Sequence, residues 1–149
     1  MHDQADHIFI GEVNQHLGIA HKVCRIYVHD EDERKDLLQE MMYQLWKSYP
    51  KFDKRSKFST WMYSVCLNTA LTFKCRSGKL GTESISLMHH EIADRSQLDD
   101  RETMNVLFEA ISLLSPLNKA IVLLYLESMS YEEIAAITGL TKSNVSVKL

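Results

Sequence analysis

Ser130-Tyr-Glu-Glu-Ile-Ala-Ala-Ile-Thr-Gly-Leu-Thr-Lys-Ser-Asn-Val-Ser-Val-Lys-Leu149 reads as two short helices joined by a tight turn. Ser130 followed three residues later by Glu133 is a capping-box pattern that starts the first helix. Ala135 is small, as close crossing by a second helix requires. Gly139, four residues on, supplies the left-handed backbone of a tight turn. Thr141 is a good N-cap for the next helix, and Val145 is placed to face back toward the first. This spacing is that of a helix-turn-helix, whose second helix enters the major groove and meets base edges with its first residues. DNA is therefore the expected partner of this segment; an ordinary helical hairpin within a core would show part of the same pattern.

Outward from this segment, the 149-residue chain holds one ordinary domain or two small ones. Five Gly and two Pro in a chain that is 45% apolar favour an all-helical protein. The net charge of −3 argues on its own against a nucleic-acid binder, but it is unevenly spread. Lys47 to Lys79 holds eight Lys or Arg and one acid, Asp53, whereas Asp30 to Glu40 holds six acids and two bases. A basic and an acidic segment can serve different partners. Cys24, Cys66 and Cys75 form no CxxC pair and no zinc spacing, which leaves reduced thiols in or near a core. The His89-His90 pair lies in a polar stretch and reads as solvated. No metal site, cofactor site or catalytic residue is expected. Without a signal-peptide pattern or a membrane-length apolar run, the expected location is the cytoplasm, with no membrane insertion.

Helical periodicity runs from Ile8 to Val28, with Gly18 as a candidate bend. A second helix is expected from about Glu33 to Ser48, with Leu37, Met41 and Leu45 in one apolar row and Leu38, Met42 and Trp46 in the next. Pro50 ends it. A basic, aromatic loop spans Tyr49 to Lys57, and a helix follows from about Ser59 to Arg76. Trp61, Met62, Val65, Cys66, Thr69 and Phe73 share its broad apolar side. The polar stretch from Ser77 to about Asp100, with a short helical piece near Met88, reads as a tether. Helices resume with Met104, Leu107, Phe108 and Ile111. Ser115-Pro116 is an N-cap with Pro at the first helical position. Leu117, Ile121, Leu124 and Tyr125 continue the apolar face. The expected organisation is all-α: a helical domain over 1–76, a linker over 77–100 and a helix-turn-helix domain over 101–149.

Three constellations carry chemistry. Asp36, Gln39, Glu40 and Tyr43 fall opposite the apolar stripe of their helix, as a solvated face or a protein contact would. Phe52-Asp53-Lys54-Arg55-Ser56-Lys57-Phe58-Ser59-Thr60-Trp61-Met62-Tyr63 mixes bases, which attract phosphate, with hydroxyl and aromatic groups that can hold or stack on an unpaired base. Trp61 by itself reads as core more readily than as platform. Asn68 is a poor mid-helix residue whose amide can read a base edge.

In this order, ahead of a C-terminal helix-turn-helix, these segments resemble the extracytoplasmic-function (ECF) group of bacterial RNA polymerase sigma factors over nearly the whole chain. Asp36-Leu-Leu-Gln-Glu40 is similar to that family's polymerase-binding helix in region two, which implies polymerase contacts at Asp36, Leu37, Gln39, Glu40 and Tyr43. Phe58-Ser-Thr-Trp61-Met-Tyr63 resembles the start of the promoter-melting helix, and Asn68-Thr-Ala-Leu71 the position that lines a pocket for a flipped minus-ten base. The resemblance implies minus-ten contacts from Lys54, Arg55, Lys57, Ser59, Thr60, Trp61, Tyr63, Asn68, Lys74 and Arg76. Ser115-Pro-Leu117 and Ser130-Tyr-Glu-Glu-Ile-Ala135 resemble region four, which implies minus-thirty-five contacts from Thr141, Lys142, Ser143, Asn144, Ser146 and Lys148. Thr72 stands where many relatives carry Asp. Family members usually extend the recognition helix with several Lys or Arg. From Lys142 only eight residues remain, about 12 Å of helix, so weakened region-four binding is the expectation.

The resulting expectation is a non-enzymatic, dissociable initiation subunit with core RNA polymerase, promoter DNA and an anti-sigma protein as partners. The rival reading is a stand-alone helix-turn-helix regulator that binds duplex DNA as a dimer. No Ser-His-Asp, paired-carboxylate or phosphate-loop pattern supports a hydrolytic enzyme.

Overall fold

A computed structural model of the chain describes residues 2–76 and 100–149, and all regular structure among them is helical. The tether expected between these stretches, its short helical piece and the His89-His90 pair lie outside the described residues. The chain divides into two compact units, Met1–Phe73 and Lys74–Leu149.

The first unit opens with α1 (His2–Gln15) and α2 (Leu17–Tyr27). The break between them falls at His16 (φ −117°, ψ 17°), not at Gly18, which lies within α2. His16 Nδ1–H donates to the Glu12 carbonyl oxygen at 2.9 Å, so the ring satisfies a group freed at the helix end. Helix α3 (Glu31–Ser48) begins two residues earlier than its apolar pattern suggests, because Asp30 is the N-cap and accepts the Glu33 N–H at 3.2 Å. Glu31, Asp32 and Glu33 crowd the first turn, where carboxylates complement the helix dipole, and Lys47 occupies the last turn. Arg34 Nε–H donates to the Val28 carbonyl at 2.7 Å and fixes the turn from α2 into α3.

Leu37, Met41 and Leu45 form a fully buried row on α3, which packs on α2. Each such side chain contributes about 1.5–3 kcal/mol by leaving water. The adjacent row ends differently from expectation: Leu38 and Met42 are half-buried, and Trp46 is 56% exposed. A strict i, i+4 row drifts about 40° around the helix at each step, which carries Trp46 out of the core. After a 3-10 turn at Tyr49–Lys51, α4 (Phe58–Arg76) buries Met62, Tyr63, Cys66, Leu67, Thr69 and Ala70. The Cys24 thiol donates to the Met41 sulfur at 3.7 Å. Burial pushes the Cys24 thiol up to about 11 and the Cys66 thiol up to about 12, so both remain protonated at neutral pH. Cys75, expected near a core, is exposed.

The second unit comprises α5 (Asp100–Ser112), α6 (Pro116–Leu126), α7 (Tyr131–Thr138) and α8 (Lys142–Lys148). Ser115 caps α6 by accepting the Asn118 N–H, with Pro116 in the first turn. Phe108, Ile111, Ala120, Ile121, Leu123, Leu124, Ile134 and Val145 are buried. Three residues of the expected apolar faces instead meet solvent: Met104, Leu107 and Tyr125. The turn between α6 and α7 needs a left-handed residue, supplied by Ser128 at φ 64°.

Candidate functional site

The outer face of α3 is built by periodicity alone. Asp36, Gln39 and Tyr43 are exposed and Glu40 is half-exposed. Gln44 Nε2 donates to Glu40 Oε1 at 3.1 Å, and Lys47 Nζ stands 6.0 Å from the Tyr43 ring centroid. These contacts hold two long side chains against the helix. Leu37 is wholly buried and belongs to the packing beneath this face. Trp46, which the i, i+4 spacing from Met42 assigns to an apolar row, instead stands exposed beside them. It lies seven residues after Gln39, within about 20° on a helical wheel. That heptad spacing was the available signal.

An aromatic cluster anchors the basic loop. Phe9, Tyr49, Phe52, Phe58 and Trp61 are joined by ring contacts of 5.0–6.5 Å, and Phe52 stacks on Trp61 at 5.0 Å and 29°. His16 tilts against Phe58 at 5.2 Å. The Tyr49 hydroxyl donates to Glu12 Oε1 at 3.2 Å. Partial burial and the facing Glu12 carboxylate raise the Tyr49 pKa. Trp61 is thus half core and half surface, with one face committed to Phe52.

Between Phe52 and Phe58 the residues Asp53, Lys54, Arg55, Ser56 and Lys57 are all exposed. Asp53 Oδ1 accepts the Arg55 N–H at 3.1 Å, and Lys54 adopts φ 64°. A left-handed non-glycine residue costs about 1–2 kcal/mol, and such strain collects at functional sites. Lys54→Gly should therefore raise the stability of the first unit, by up to about 1 kcal/mol, as relief of the left-handed backbone outweighs the added freedom of the unfolded chain. A denaturant titration checks the sign; a variant less stable than the parent would show that the strain is smaller than that entropy.

Helix α4 sorts the remaining minus-ten candidates into two sides. Trp61, Asn68 and Arg76 fall along one line with Ser64, Val65 and Thr72, and Asn68, Thr72 and Arg76 are exposed. Tyr63 and Lys74 lie on the opposite side, at 2% and 6% exposure. Ser59 and Thr60 are half-exposed in the first turn. Thr72 and Ser64 are additions to the outer line that helical spacing from Asn68 could have named.

The helix-turn-helix follows its sequence pattern closely. Glu133 N–H donates to Ser130 Oγ at 3.1 Å and Ser130 N–H to Glu133 Oε1 at 3.2 Å, completing the capping box. Gly139 is left-handed at φ 79° and ψ 5°, and its N–H closes on the Ala135 carbonyl. The Thr138 hydroxyl donates to the Ile134 carbonyl at 2.7 Å. Thr141 Oγ1 accepts the Asn144 N–H at 3.1 Å, so its side chain is occupied as the cap of α8. Val145 is buried; Lys142, Ser143, Asn144, Ser146 and Lys148 are exposed. Lys142 Nζ reaches back to Glu132 Oε1 at 3.3 Å. Among the described residues there is no cluster of three or more metal-ligating side chains, and no helix is long and apolar enough to cross a membrane.

Comparison with known proteins places both units. Residues 13–79 match the Sigma-70 region 2 family and residues 104–149 match Sigma-70, region 4. The RNA polymerase sigma-H factor of Pseudomonas aeruginosa is 27% identical over 137 residues, covering 81% of this chain and 71% of that one. SigV of Bacillus subtilis is 25% identical over 141 residues, covering 92% and 81%. The ECF RNA polymerase sigma-E factor of Escherichia coli K12 is 29% identical over 133 residues, covering 78% and 69%. In fold, the chain resembles the sigma factor RpoE of Bartonella quintana, solved in complex with the anti-sigma factor NepR. The TM-score is 0.69 at 18% identity, over 95% of this chain and 89% of that one. The chain belongs to the ECF group of RNA polymerase sigma factors. Its function is to direct promoter recognition and transcription initiation, and a stand-alone duplex-binding regulator is not favoured.

Proposed function

We propose that this sigma factor divides its contacts among three surfaces and carries out no bond chemistry of its own. The outer face of α3, with Asp36, Gln39, Glu40, Tyr43 and Trp46, docks on core polymerase. The loop Lys54–Lys57 and the outer line of α4 hold the melted minus-ten strand. The exposed residues of α8 meet the minus-thirty-five duplex. Leu37, Tyr63 and Lys74, being buried, support these surfaces from beneath. An anti-sigma protein would compete for the same surfaces in the free factor, and the site of action is the cytoplasm.

The observation that carries this reading is the exposed line on α4. It sets an amide at Asn68 on the same side as the Trp61 ring, in the same unit as a loop of three exposed bases. Phosphate attraction, stacking and edge recognition are the needs of an unpaired strand. The test uses holoenzyme on a promoter recovered by selection from random DNA. A pre-melted fork should bind more tightly than closed duplex. Asn68→Ala should lose about 1–3 kcal/mol of discrimination at a single base position. Lys54→Ala and Arg55→Ala should weaken binding without sequence bias, since phosphate contacts carry no base information. Equal fork and duplex affinities would remove the melting role from this surface.

A further inference from the structure

On each surface assigned to DNA, one cation is already held by a carboxylate of its own unit. In the loop, Arg55 Nε lies 3.1 Å from Asp53 Oδ2, while Asp53 Oδ1 accepts the Arg55 N–H. Asp53 is the only acid between Lys47 and Lys79. In the helix-turn-helix, Lys142 Nζ lies 3.3 Å from Glu132 Oε1, a contact between the two helices of the motif. Both pairs stand in water: the side chains are 89% and 58% exposed in the first, 64% and 76% in the second. Such exposed pairs add little to stability. Each nonetheless sets a carboxylate oxygen against a donor that a phosphate oxygen would otherwise share, Nε–H of Arg55 and one N–H of the Lys142 ammonium, and places a negative charge beside the cation.

We propose that Asp53 and Glu132 are built-in counterions that lower the DNA affinity of the free factor by occupying Arg55 and Lys142. DNA binding must displace both carboxylates and then tolerate their charge beside the phosphates. Holding the DNA in place by core polymerase offsets that opposition, so promoter binding becomes contingent on assembly. The proposal rests on the reading of Arg55 and Lys142 as phosphate contacts, and the test separates the two.

The full chain is titrated at low salt against a mixed-sequence duplex and a mixed-sequence single strand. The variants are Asp53→Asn, Glu132→Gln and the pair together. Asn at 53 keeps an oxygen to accept the Arg55 N–H, so the turn survives. Glu31→Gln, an equal charge change at the start of α3, is the control. Glu132→Gln should tighten duplex binding about two- to fivefold and steepen the salt dependence by up to about 0.9 in logarithmic slope. Asp53→Asn should act likewise on the single strand, with a slope change of about 0.7. Thermal unfolding of each variant confirms that the fold is retained.

The gain from Glu132→Gln should vanish in a Lys142→Ala background. A gain of the same size in Glu31→Gln, or one that persists without Lys142, would show mere net-charge relief and overturn the proposal. If Lys142→Ala weakens binding but Glu132→Gln gives no gain, the contact assignment stands and the masking role does not. If Lys142→Ala changes nothing in either background, the phosphate-contact assignment fails and takes the proposal with it.

Discussion

Leu37→Ala should lower the unfolding free energy of the first unit by about 2–5 kcal/mol, while Asp36→Lys, one residue away, should change it by no more than about 0.5 kcal/mol. The two positions differ by about 100° around α3, and that rotation separates core from surface. Leu37 is fully buried in the row with Met41 and Leu45, so truncation leaves a cavity against α2. Asp36 is exposed and part of the face proposed for polymerase. The ordering reverses when core polymerase binding is read. Asp36→Lys should weaken association at least tenfold if the partner surface is basic, because a like charge in an interface costs several kcal/mol. Trp46→Ala should weaken it by about 2 kcal/mol or more, as exposed Trp side chains commonly anchor interfaces. Both Trp residues, Trp46 and Trp61, lie in the first unit, so tryptophan fluorescence during urea titration follows that unit alone. Unchanged polymerase affinity in both Asp36→Lys and Trp46→Ala would remove the docking face. Unchanged stability in Leu37→Ala would contradict the packing beneath it.

Substitution of Gly139 should produce a graded loss, with Asn mildest, Ala intermediate and Val most severe. At φ 79° an added Cβ meets no atom within 4 Å, so crowding is not the cause. The penalty is conformational: about 1–2 kcal/mol for an ordinary L residue, less for Asn, more for a β-branched one. The turn joins α7 to α8, and Val145 reaches the core only if that turn closes. A unit of this size has a few kcal/mol of stability in total, so Gly139→Val should populate an open α8. Hydrogen exchange at the Val145 amide, which bonds to the Thr141 carbonyl, reads this directly. Transcription from a promoter that depends on its minus-thirty-five element should fall in the same order. Equal exchange protection in the Asn, Ala and Val variants would show that the left-handed turn is dispensable.

The helix-turn-helix was legible residue by residue because its signals are local. Ser130, Glu133, Gly139 and Thr141 each satisfy a backbone group within four residues, and such bonds are written in short spacing. The buried row of α3 was legible for the same reason. The side of α4 was not. Its apolar residues cover more than half the circumference, so spacing sets Tyr63 about 200° from Trp61 without telling which of the two faces the core; packing shows that Tyr63 is enclosed and Trp61 stands at the edge. Trp46 was misplaced because a large apolar residue at i+4 from Met42 reads as core, whereas the helix had turned away by then. The break at His16 was hidden too: Gly18, two residues on, is the usual marker of a bend, but a ring nitrogen that bonds the Glu12 carbonyl terminates α1 first. The pairing of Lys142 with Glu132 spans ten residues and two helices, beyond any periodic rule.

The ring contact between Phe52 and Phe58, with centroids 5.9 Å apart, has a thermodynamic meaning for the five residues between them. It draws the two ends of the segment Asp53–Lys57 together, and the Asp53 turn fixes its middle. Closing such a segment restricts its chain entropy when the protein folds, before any DNA arrives. A partner that meets these residues therefore finds them already ordered, and little configurational freedom remains to be lost on association. Phe52 and Phe58 thus act on recognition without touching the partner: by holding the rim of the loop, they shift the entropic penalty of association to the folding reaction.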